Sequence, residues 1–292
     1  MRALALWSGG LDSSLAIKVI QKQGIEVIAL NFDSYFFGGK NPNMSKWSKE
    51  LGCKLEYINF KEIHRKITKN PPSGYGKNMN PCIDCHALMM GKAIELLDKY
   101  DARFKITGEE LRQRPMSQNY QSLKQVAKLS TAADLIVRPL SGKLLPPTLP
   151  EVEGWIDREK LCDIQGRTRQ KQFELAEKLG VTDYPDPGGG CLLTDPNYST
   201  KLKILKDDEN FDKGYIFEAI QLGRMYRLDE GKYLVIGRGE EENIQLSEYK
   251  DKADIFVKGD TTPGPTILGF GDFDDNDLED IKILFARYSK TK

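Results

Sequence analysis

The stretch Ala5-Leu-Trp-Ser-Gly-Gly-Leu-Asp-Ser-Ser-Leu15 decides the fold class. It joins an apolar segment, residues 2–7, to residues 13–23, whose apolar positions recur at the spacing of a helix. The sequence therefore predicts a strand, a turn rich in glycine and serine, and then a helix. Elements in this order surround an anion with backbone N–H groups and with the positive end of the helix.

The composition of this turn suits a phosphate group. Ser8, Ser13 and Ser14 offer hydroxyl donors, and Gly9 and Gly10 allow a phosphate to approach the backbone closely. An ordinary strand-to-helix turn with a serine or aspartate cap is the alternative. Because the whole pattern lies at the first strand–helix junction, we favour the phosphate-binding interpretation, even though the turn contains no lysine.

Strands and helices continue to alternate along the first two thirds of the chain. Apolar runs predict further strands at 25–32, 54–60 and in the segment FKITGEE, with a helix between the first two that ends at Gly52. This rhythm predicts an α/β fold with a parallel sheet. Further helices are predicted after Cys82, around 117–129, near 151–160 and at 167–179, and loops at 70–81 and 183–191.

The pattern changes after about residue 200. Alternating runs such as KYLVIG, ADIFVKG and PTILGF are followed by a terminal helix, DLEDIKILFARYSK. The sequence therefore predicts a second, small α+β domain. We place the domain boundary within 195–212, which gives a catalytic domain at 1–198 and a second domain at 199–292.

The composition limits which kinds of binding partner the protein is expected to have. The formal net charge of the 292 residues is zero, so any RNA must bind through local basic patches. No apolar run is long enough to span a bilayer and the N-terminus does not read as a signal peptide, so we expect a cytoplasmic protein with no membrane partner. The five cysteines are an odd number, which argues against a complete disulfide framework.

Ser8 to Ser14, SGGLDSS, is similar to the PP-loop of the ATP pyrophosphatases. The resemblance implies a Rossmann-like domain of the adenine nucleotide alpha hydrolase type, which splits ATP between its α and β phosphates and leaves AMP on the substrate. It further implies that Asp12 assists Mg²⁺ and that the residues of the turn bind ATP. Adenylation of a substrate oxygen is therefore the chemistry that this resemblance implies.

Three cysteines lie in or beside segments that contain proline or glycine. Cys82 and Cys85 form a C-x-x-C at a loop-to-helix junction, where the positive helix end favours the thiolate. Cys191 follows a run of glycines and is the expected third thiolate. Three thiolates leave one position open, which suits a [4Fe–4S] cluster whose free iron can carry sulfide.

A zinc site is the alternative and needs a fourth ligand. Cys53, Cys162 or His86 could supply one. For Cys53 and Cys162 we favour a role as small core residues. For His86 and His64 we favour surface or supporting roles over ligation.

The segment Thr107 to Gln118, TGEELRQRPMSQ, is similar to a T-G-E-x-L-G-Q-x-x-S-Q stretch of the tRNA 4-thiouridine synthases, and Arg138-Pro139-Leu140 resembles the R-P-L that follows it. The resemblance covers about residues 1–180 and implies that Gly108 and Gln113 lie near the nucleotide. NPCIDC also resembles the 2-thiouridylases. This sequence has Arg112 at the family's glycine position.

The same family carries an N-terminal RNA-binding extension and a rhodanese domain, and neither is found in this sequence. We therefore expect inorganic sulfide or a separate sulfur donor protein. The C-terminal segment VIGRGEEEN resembles the V-G-R-x-x-x-x-N signature of the small RNA-binding domain of NFACT proteins; a β-hairpin with a polar turn is the alternative. The residues expected to contact RNA are Arg112, Arg114, Lys143, Arg224, Arg227, Arg238 and Lys258.

These features predict a tRNA uridine sulfurtransferase that uses ATP, Mg²⁺ and a [4Fe–4S] cluster. The uracil oxygen attacks the α-phosphate, sulfide then replaces the adenylated oxygen, and AMP leaves; the expected catalytic residues are Asp12, Cys82, Cys85 and Cys191. A cluster-free persulfide relay, a small-molecule substrate and a non-catalytic zinc-knuckle RNA-binding protein are the alternatives. A homodimer is compatible with the sequence, and the choice between C2 and C4 is left open.

Overall fold

The computed structural model describes residues 1–39, 41–185, 190–259 and 264–289. The chain divides into two compact units, Met1–Cys191 and Leu192–Lys292. This division lies a few residues before the boundary at 198/199 that the change in sequence pattern predicts. All five cysteines lie in the described part of the chain, and none is disulfide-bonded.

The first unit is built on a five-stranded parallel sheet with the order β3-β2-β1-β4-β5. Its strands are β1 (Arg2–Leu6), β2 (Glu26–Asp33), β3 (Lys54–Asn59), β4 (Phe104–Thr107) and β5 (Ile136–Val137). The chain moves outward from β1 through β2 to β3 and then returns to the other side of β1 as β4. The carboxyl ends of β1 and β4 therefore flank a topological switch point, where open α/β sheets bind their ligands.

Helices cover both faces of this sheet. They are α1 (Leu11–Gln21), α2 (Met44–Leu51), α3 (Lys61–Lys69), α4 (Cys82–Glu95), α5 (Tyr120–Leu129), α6 (Leu149–Val152) and α7 (Gln170–Leu179). The parallel α/β fold predicted from the sequence is confirmed. The helix predicted near 151–160 is wrong: α6 ends at Val152, and a separate 3-10 turn follows at Arg158–Lys160, because a turn with Gly154 at a φ of +67° interrupts the segment.

Successive side chains along β1 point to opposite faces of the sheet, so the core is divided into two layers. Ala3, Ala5 and Trp7 pack with α1, α2 and α7 on one face, and Leu4 packs with α4 on the other. Both layers are almost fully excluded from solvent. The two faces thus place α1 and α7 on one side of the switch point and α4 on the other.

The second unit has a four-stranded antiparallel sheet with the order β6-β7-β9-β8. Its strands are β6 (Arg224–Asp229), β7 (Lys232–Ile236), β8 (Ile255–Val257) and β9 (Ile267–Phe270), and its helices are α8 (Pro196–Leu205), α9 (Tyr215–Leu222), α10 (Glu240–Ser247) and α11 (Asp275–Tyr288). Leu234, Ile236 and Ile267 pack against Ile281 and Leu284 of α11. The predicted small α+β domain is confirmed.

Within the described ranges, no helix is both long enough and apolar enough to cross a bilayer.

Candidate active site

The turn after β1 has the conformation that the sequence predicts. Gly9 has a φ of +82°, and Gly10 precedes α1 without any side-chain cap, so the first N–H groups of the helix face the turn. The hydroxyls of Ser13 and Ser14 each donate to the Gly10 carbonyl oxygen at 3.0 Å. The indole N–H of Trp7 donates to Ser14 Oγ at 2.9 Å and ties the turn to the core.

Gly108 lets the end of β4 approach this turn. A methyl group at position 108 would lie 2.5 Å from the backbone nitrogen of Ser13 and 2.7 Å from the carbonyl carbon of Asp12. Only glycine fits at such a distance from backbone atoms. The TGE segment is therefore packed directly against the first turn of α1, as the family resemblance implies for Gly108.

Asp12 is the centre of the polar contacts at the switch point. Its Oδ2 accepts a hydrogen bond from Gln113 Nε2 at 3.0 Å, so the structure brings together these two predicted site residues. Its Oδ1 accepts a hydrogen bond of 2.6 Å from Arg169, an ion pair that closes a loop of 157 residues. Both carboxylate oxygens of Asp12 thus have a donor from another segment.

Glu110 lies beside this pair and is fully buried. Its Oε2 accepts hydrogen bonds from Gln172 at 2.5 Å and from Gln113 at 3.1 Å. Burial first, and then the charge of Asp12, raise the pKa of Glu110 to about 8. Three atoms of this cluster, Glu110 Oε1, Arg169 Nε and Gln172 Oε1, are buried without a hydrogen-bond partner among the described residues.

Glu109 makes a second, opposite set of contacts. Its Oε2 accepts a hydrogen bond from Arg138 Nε at 2.9 Å, and its Oε1 lies 2.7 Å from His86 Nδ1. Burial opposes ionisation of this carboxyl, but Arg138 and His86 together lower its pKa to about 2. The motifs TGE and RPL therefore join α4 to the ends of β4 and β5 through one buried carboxylate.

The three predicted thiol ligands belong to one region of the first unit. Cys82 and Cys85 open α4 one turn apart, on the same face of the helix. Burial, and next the proximity of Cys191 and Cys82, raise the pKa of the Cys85 thiol well above its usual value. The expectation that the helix end favours the thiolate is therefore wrong for Cys85, because burial outweighs the effect of the helix end.

This donor set suits thiolate-bound iron, because cysteine sulfurs are the usual ligands of iron–sulfur clusters. It does not form a finished site for a single ion: within the described ranges, no three His, Cys, Asp or Glu side chains are close enough together to bind one metal ion. Part of the expected glycine run, residues 186–189, lies outside the described residues.

The loop at 70–81 is fixed to the start of α4. The buried carboxylate of Asp84 accepts hydrogen bonds from the backbone N–H and the hydroxyl of Ser73, at 2.9 and 2.8 Å. The side-chain amide of Asn80 donates to Cys82 Sγ at 3.1 Å. The residues between and before the two cysteines thus hold the loop in place and supply a donor to one thiol.

The remaining cysteines and histidines have structural surroundings. Cys53 and Cys162 pack against the hydrophobic core, and burial raises the pKa of Cys53 to about 11. His64 is buried among phenylalanine rings, with Nδ1 2.7 Å from Ser34 Oγ, and burial lowers its pKa to about 3. His86 supports Glu109, as described above. None of these contacts brings a fourth ligand to the thiols.

The residues expected to contact RNA are all exposed. Arg112 and Arg114 lie in the loop after β4, and Lys143 forms an ion pair with Glu159 at 3.2 Å. Arg112 has a φ of +64°, the left-handed conformation that explains why glycine stands at this position of the 4-thiouridine synthase motif. The other residues, Arg224, Arg227, Arg238 and Lys258, are exposed on the second unit.

The V-G-R-x-x-x-x-N segment has a clear structural role. Gly237 lies against the side chain of Asn243, which would collide with a methyl group at position 237. Asn243 Oδ1 accepts a hydrogen bond of 2.8 Å from the backbone N–H of Thr266. The guanidinium of Arg238 pairs with Glu242 at 2.5 Å. The glycine and asparagine therefore tie the end of β7 to α10 and to the start of β9.

Several residues of the site were not singled out in the sequence. Arg169 and Gln172 reach it from the first turn of α7, and Glu109 and Glu110 carry its buried carboxylates. A signal existed for Arg169, since it follows Gly166 in the segment QGRTRQ at the start of a predicted helix. Nothing in the local pattern indicated which partner that arginine would have.

Comparison with known proteins places these features in a family. Residues 1–143 match the family described as "Thiamine biosynthesis protein (ThiI)", and residues 223–292 match the "NFACT protein RNA binding domain". A tRNA-specific 2-thiouridylase, MnmA 2, of Fusobacterium nucleatum subsp. nucleatum is 31% identical over 292 residues, which cover 97% of this chain and 79% of that protein.

Other relatives match over shorter stretches. A probable tRNA sulfurtransferase of Thermococcus kodakarensis is 28% identical over 170 residues, 56% of this chain and 39% of that protein. This chain thus spans about two fifths of the length of that relative. A solved structure of a 4-thiouridine synthetase–RNA complex with bound ATP has a TM-score of 0.45 at 20% identity, covering 74% of this chain and 52% of that one.

The parallel sheet, the SGGLDSS turn at its switch point and the packed TGE segment define the first unit as a PP-loop domain of the ATP pyrophosphatase type. Residues 223–292 of the second unit form a domain of the NFACT RNA-binding type. The chain belongs to the family of tRNA thiolation enzymes represented by the Fusobacterium 2-thiouridylase, and its residues 1–143 also match the ThiI proteins.

Proposed function

We propose that this protein is an ATP-dependent tRNA uridine sulfurtransferase, which adenylates a uracil carbonyl oxygen and replaces it with sulfur. The observation that carries the proposal is the meeting of two motifs at the switch point: Gly108 packs on the SGGLDSS turn, and Gln113 bonds Asp12. Helix α4, which carries two of the thiols, is joined to the same strand ends by the contact of His86 with Glu109.

In the first half-reaction, the turn Ser8–Ser14 binds the phosphates of ATP with its N–H groups and hydroxyls. Asp12 would hold Mg²⁺, which when bound would supply positive charge against that of the phosphates. The uracil oxygen attacks the α-phosphorus, the bond to the β-phosphate oxygen breaks, and pyrophosphate leaves. The uracil carbon then carries AMP as a leaving group.

In the second half-reaction, sulfur replaces the activated oxygen. Cys82, Cys85 and Cys191 would hold a [4Fe–4S] cluster, which when bound supplies a sulfide for this substitution. The carbon–oxygen bond breaks and AMP departs with the original oxygen. Asn80 supports the ligand set by donating to Cys82 Sγ, and Asp84 keeps the preceding loop closed against Ser73.

The tRNA has candidate contacts on both units. Arg112, Arg114 and Lys143 are exposed on the first unit, in loops that follow β4 and β5, and would bind phosphates of the RNA backbone. Arg224 and Arg238 would do the same on the second unit, whose similarity to an RNA-binding domain supports this assignment. Sulfide or a sulfur donor protein completes the set of partners that the reaction needs.

The first experiment is an anaerobic reaction of the full chain with ATP, Mg²⁺, sulfide and unmodified tRNA. Released pyrophosphate is measured, and nucleosides are analysed by mass spectrometry. We expect tRNA-dependent pyrophosphate release and one thiouridine, both lost in Asp12→Asn. Mass and chromatographic retention distinguish 2-thiouridine from 4-thiouridine. If the wild type releases no pyrophosphate under these conditions, the enzyme proposal fails and the RNA-binding alternative replaces it.

A second experiment separates the half-reactions. Cys191→Ala should lose thiouridine formation while it keeps tRNA-dependent pyrophosphate release, because adenylation needs no thiol. Iron and sulfide are quantified on anaerobically purified wild type, with about four irons per chain expected for one cluster. Cys162→Ala, which alters a thiol packed on the core, is the matched control and should keep the wild-type iron content. An iron-free protein that still thiolates with a persulfide donor would replace the cluster with a persulfide relay.

A further inference from the structure

The SGGLDSS turn has serines and glycines for phosphate but no cation of its own. In other phosphate-binding loops a lysine reaches the β and γ phosphates. Among the described residues, Arg169 is a cation that is hydrogen-bonded to the turn; it lies far along the sequence and forms a 2.6 Å ion pair with Asp12.

The position of Arg169 is fixed by the surrounding backbone. Cys162 and Ile164 donate backbone hydrogen bonds of 2.8 Å to the carbonyls of Pro139 and Leu140, and Gly166 donates one of 2.8 Å to Leu111. The chain then turns into α7, with Arg169 immediately before its first residue. The loops after β4 and β5 thus position the arginine at the switch point.

The contacts of Arg169 with Asp12 leave hydrogen-bonding capacity unused. Its Nε is buried without a partner among the described residues, and so are Glu110 Oε1 and Gln172 Oε1 in the same cluster. An unsatisfied buried polar atom costs about 1–3 kcal/mol. Three such atoms around one ion pair indicate a group of side chains arranged for more than this pairing.

The pairing also conflicts with the role of Asp12 toward a metal ion. Arg169 engages Oδ1 and Gln113 engages Oδ2, so each oxygen keeps a lone pair, but the guanidinium charge beside Oδ1 repels a divalent cation there. A guanidinium is an effective bidentate partner for phosphate as well as for carboxylate. A shift of Arg169 from Asp12 to phosphate would satisfy the phosphate and release Asp12 in a single movement.

We infer that Arg169 is the phosphate-binding cation of this site, and that it exchanges Asp12 for the phosphates of ATP when the nucleotide binds with its metal. This inference rests on the proposed function, because it assigns ATP to the SGGLDSS turn. It deepens that function by naming a residue that recognises the triphosphate and by giving the order of events: Asp12 becomes a metal ligand only after Arg169 has left it.

Nucleotide binding to the full chain tests the inference. In isothermal titration with Mg²⁺ present, Arg169→Ala should bind ATP about 10- to 100-fold more weakly, the range expected for a lost charge-assisted hydrogen bond. Adenosine, which carries no phosphate, should bind as in the wild type. Arg167→Ala is the matched control, since Arg167 is exposed two residues earlier, and its ATP affinity should be unchanged.

A second measurement tests the exchange itself. Mn²⁺ binding without nucleotide, followed by electron paramagnetic resonance, should become tighter in Arg169→Ala, because the guanidinium that repels a cation at Asp12 is removed. Arg169→Lys retains a point charge and should recover part of the ATP affinity. If Arg169→Ala does not fold, the comparison of Arg169→Lys with Arg169→Gln gives the same test.

The outcomes separate this inference from the proposed function. Unchanged ATP affinity in Arg169→Ala, or an equal loss of adenosine and ATP binding, would overturn the phosphate role, whether or not the wild type thiolates tRNA. Unchanged Mn²⁺ affinity would overturn the exchange. A selective loss of ATP binding supports the phosphate role even if the wild type forms no thiouridine, in which case only the proposed function fails.

Discussion

Glu109 and Glu110 are consecutive, both nearly inaccessible to solvent, and opposite in behaviour. Glu109 contacts Arg138 and His86, and its pKa falls to about 2; Glu110 contacts two glutamines beside Asp12, and its pKa rises to about 8. The two face different layers of the sheet, one toward α4 and the other toward α7. Burial by itself would raise the pKa of both carboxyls, so the charge of the neighbouring groups decides whether each pKa rises or falls.

The difference assigns separate roles to the two halves of the TGEE segment. A carboxylate held ionised by a cation is a structural tie, and breaking a buried ion pair is costly. A carboxyl kept protonated by its surroundings can change its charge when a metal or a cation arrives nearby. The structural carboxylate lies on the side of the thiols, and the adaptable one lies on the side of the SGGLDSS turn.

The largest effect is expected for Glu109→Gln. The substitution leaves the buried guanidinium of Arg138 without its carboxylate, and we expect a loss of about 3–5 kcal/mol in the free energy of unfolding at pH 7. Urea denaturation measures it. Glu95→Gln is the control: it breaks an exposed ion pair with Lys92 and should cost less than about 1 kcal/mol. Equal costs for the two variants would contradict the structural role of Glu109.

The pH dependence of Glu109 has a definite sign. Its pKa is lower in the folded protein than the usual 4.5, so the ion pair stabilises the fold fully above about pH 4.5, and that stabilisation is lost as the pH falls toward 2. The unfolding free energy of Glu109→Gln should therefore decline less steeply in acid than that of the wild type. A parallel decline would show that another group dominates acid unfolding.

Glu110→Gln should change the free energy of unfolding by an intermediate amount, and at pH 8 it should stabilise the protein. The folded protein holds a proton on Glu110 between about pH 4.5 and 8, whereas the unfolded chain releases it, so stability from this group falls as the pH rises through that range. The full shift corresponds to about 5 kcal/mol, an upper limit because the site relaxes around the charge. We expect Glu110→Gln to gain about 2 kcal/mol over the wild type at pH 8.

The comparison at a second pH provides the control for Glu110. At about pH 4.5 the carboxyl is protonated in the folded wild type, and the amide is nearly isosteric with it, so the two proteins should have similar unfolding free energies. Denaturation at both pH values gives the answer. A variant that is less stable than the wild type at pH 8 would mean that Glu110 is ionised in the folded protein.

The smallest effect on the free energy of unfolding is expected at Arg112, in the loop that follows Glu110. Arg112 has a left-handed backbone, which costs a side-chain-bearing residue about 1–2 kcal/mol. Arg112→Gly removes that cost but increases the freedom of the unfolded chain, so we expect a net gain of about 0.5–1 kcal/mol in thermal or urea unfolding. Arg114→Gly, an exposed arginine without a positive φ, should give no gain. Equal responses would exclude backbone strain as the cause.

The fold followed closely from the sequence. Apolar runs at period two and helical spacing predicted β1, β2, β3 and the helices between them, because each signal lies within one element. The prediction near 151–160 was wrong because the segment has apolar spacing but also a glycine turn, which only the backbone revealed. α3 was not predicted, since KEIHRKITK is mainly polar and buries only a few side chains.

The site was predicted in part. Asp12, Gly108 and Gln113 meet as the motifs imply, and the family assignment of both units is confirmed. The cluster and the individual RNA contacts remain predictions. The cluster and the RNA contacts each involve residues from several segments of the chain, so no single motif is sufficient to predict them.

The sequence by itself determined the strand, turn and helix around SGGLDSS, the order of strands and helices, and the position of two cysteines at the start of α4. These properties depend on residue types over a few neighbouring positions, where backbone geometry and side-chain chemistry act locally. Only the tertiary structure decided that Asp12 pairs with Arg169, 157 residues away, and that adjacent glutamates receive opposite partners. Such pairings arise from long-range packing of the sheet and its helices, and electrostatic effects in a protein follow distance in space rather than distance along the chain.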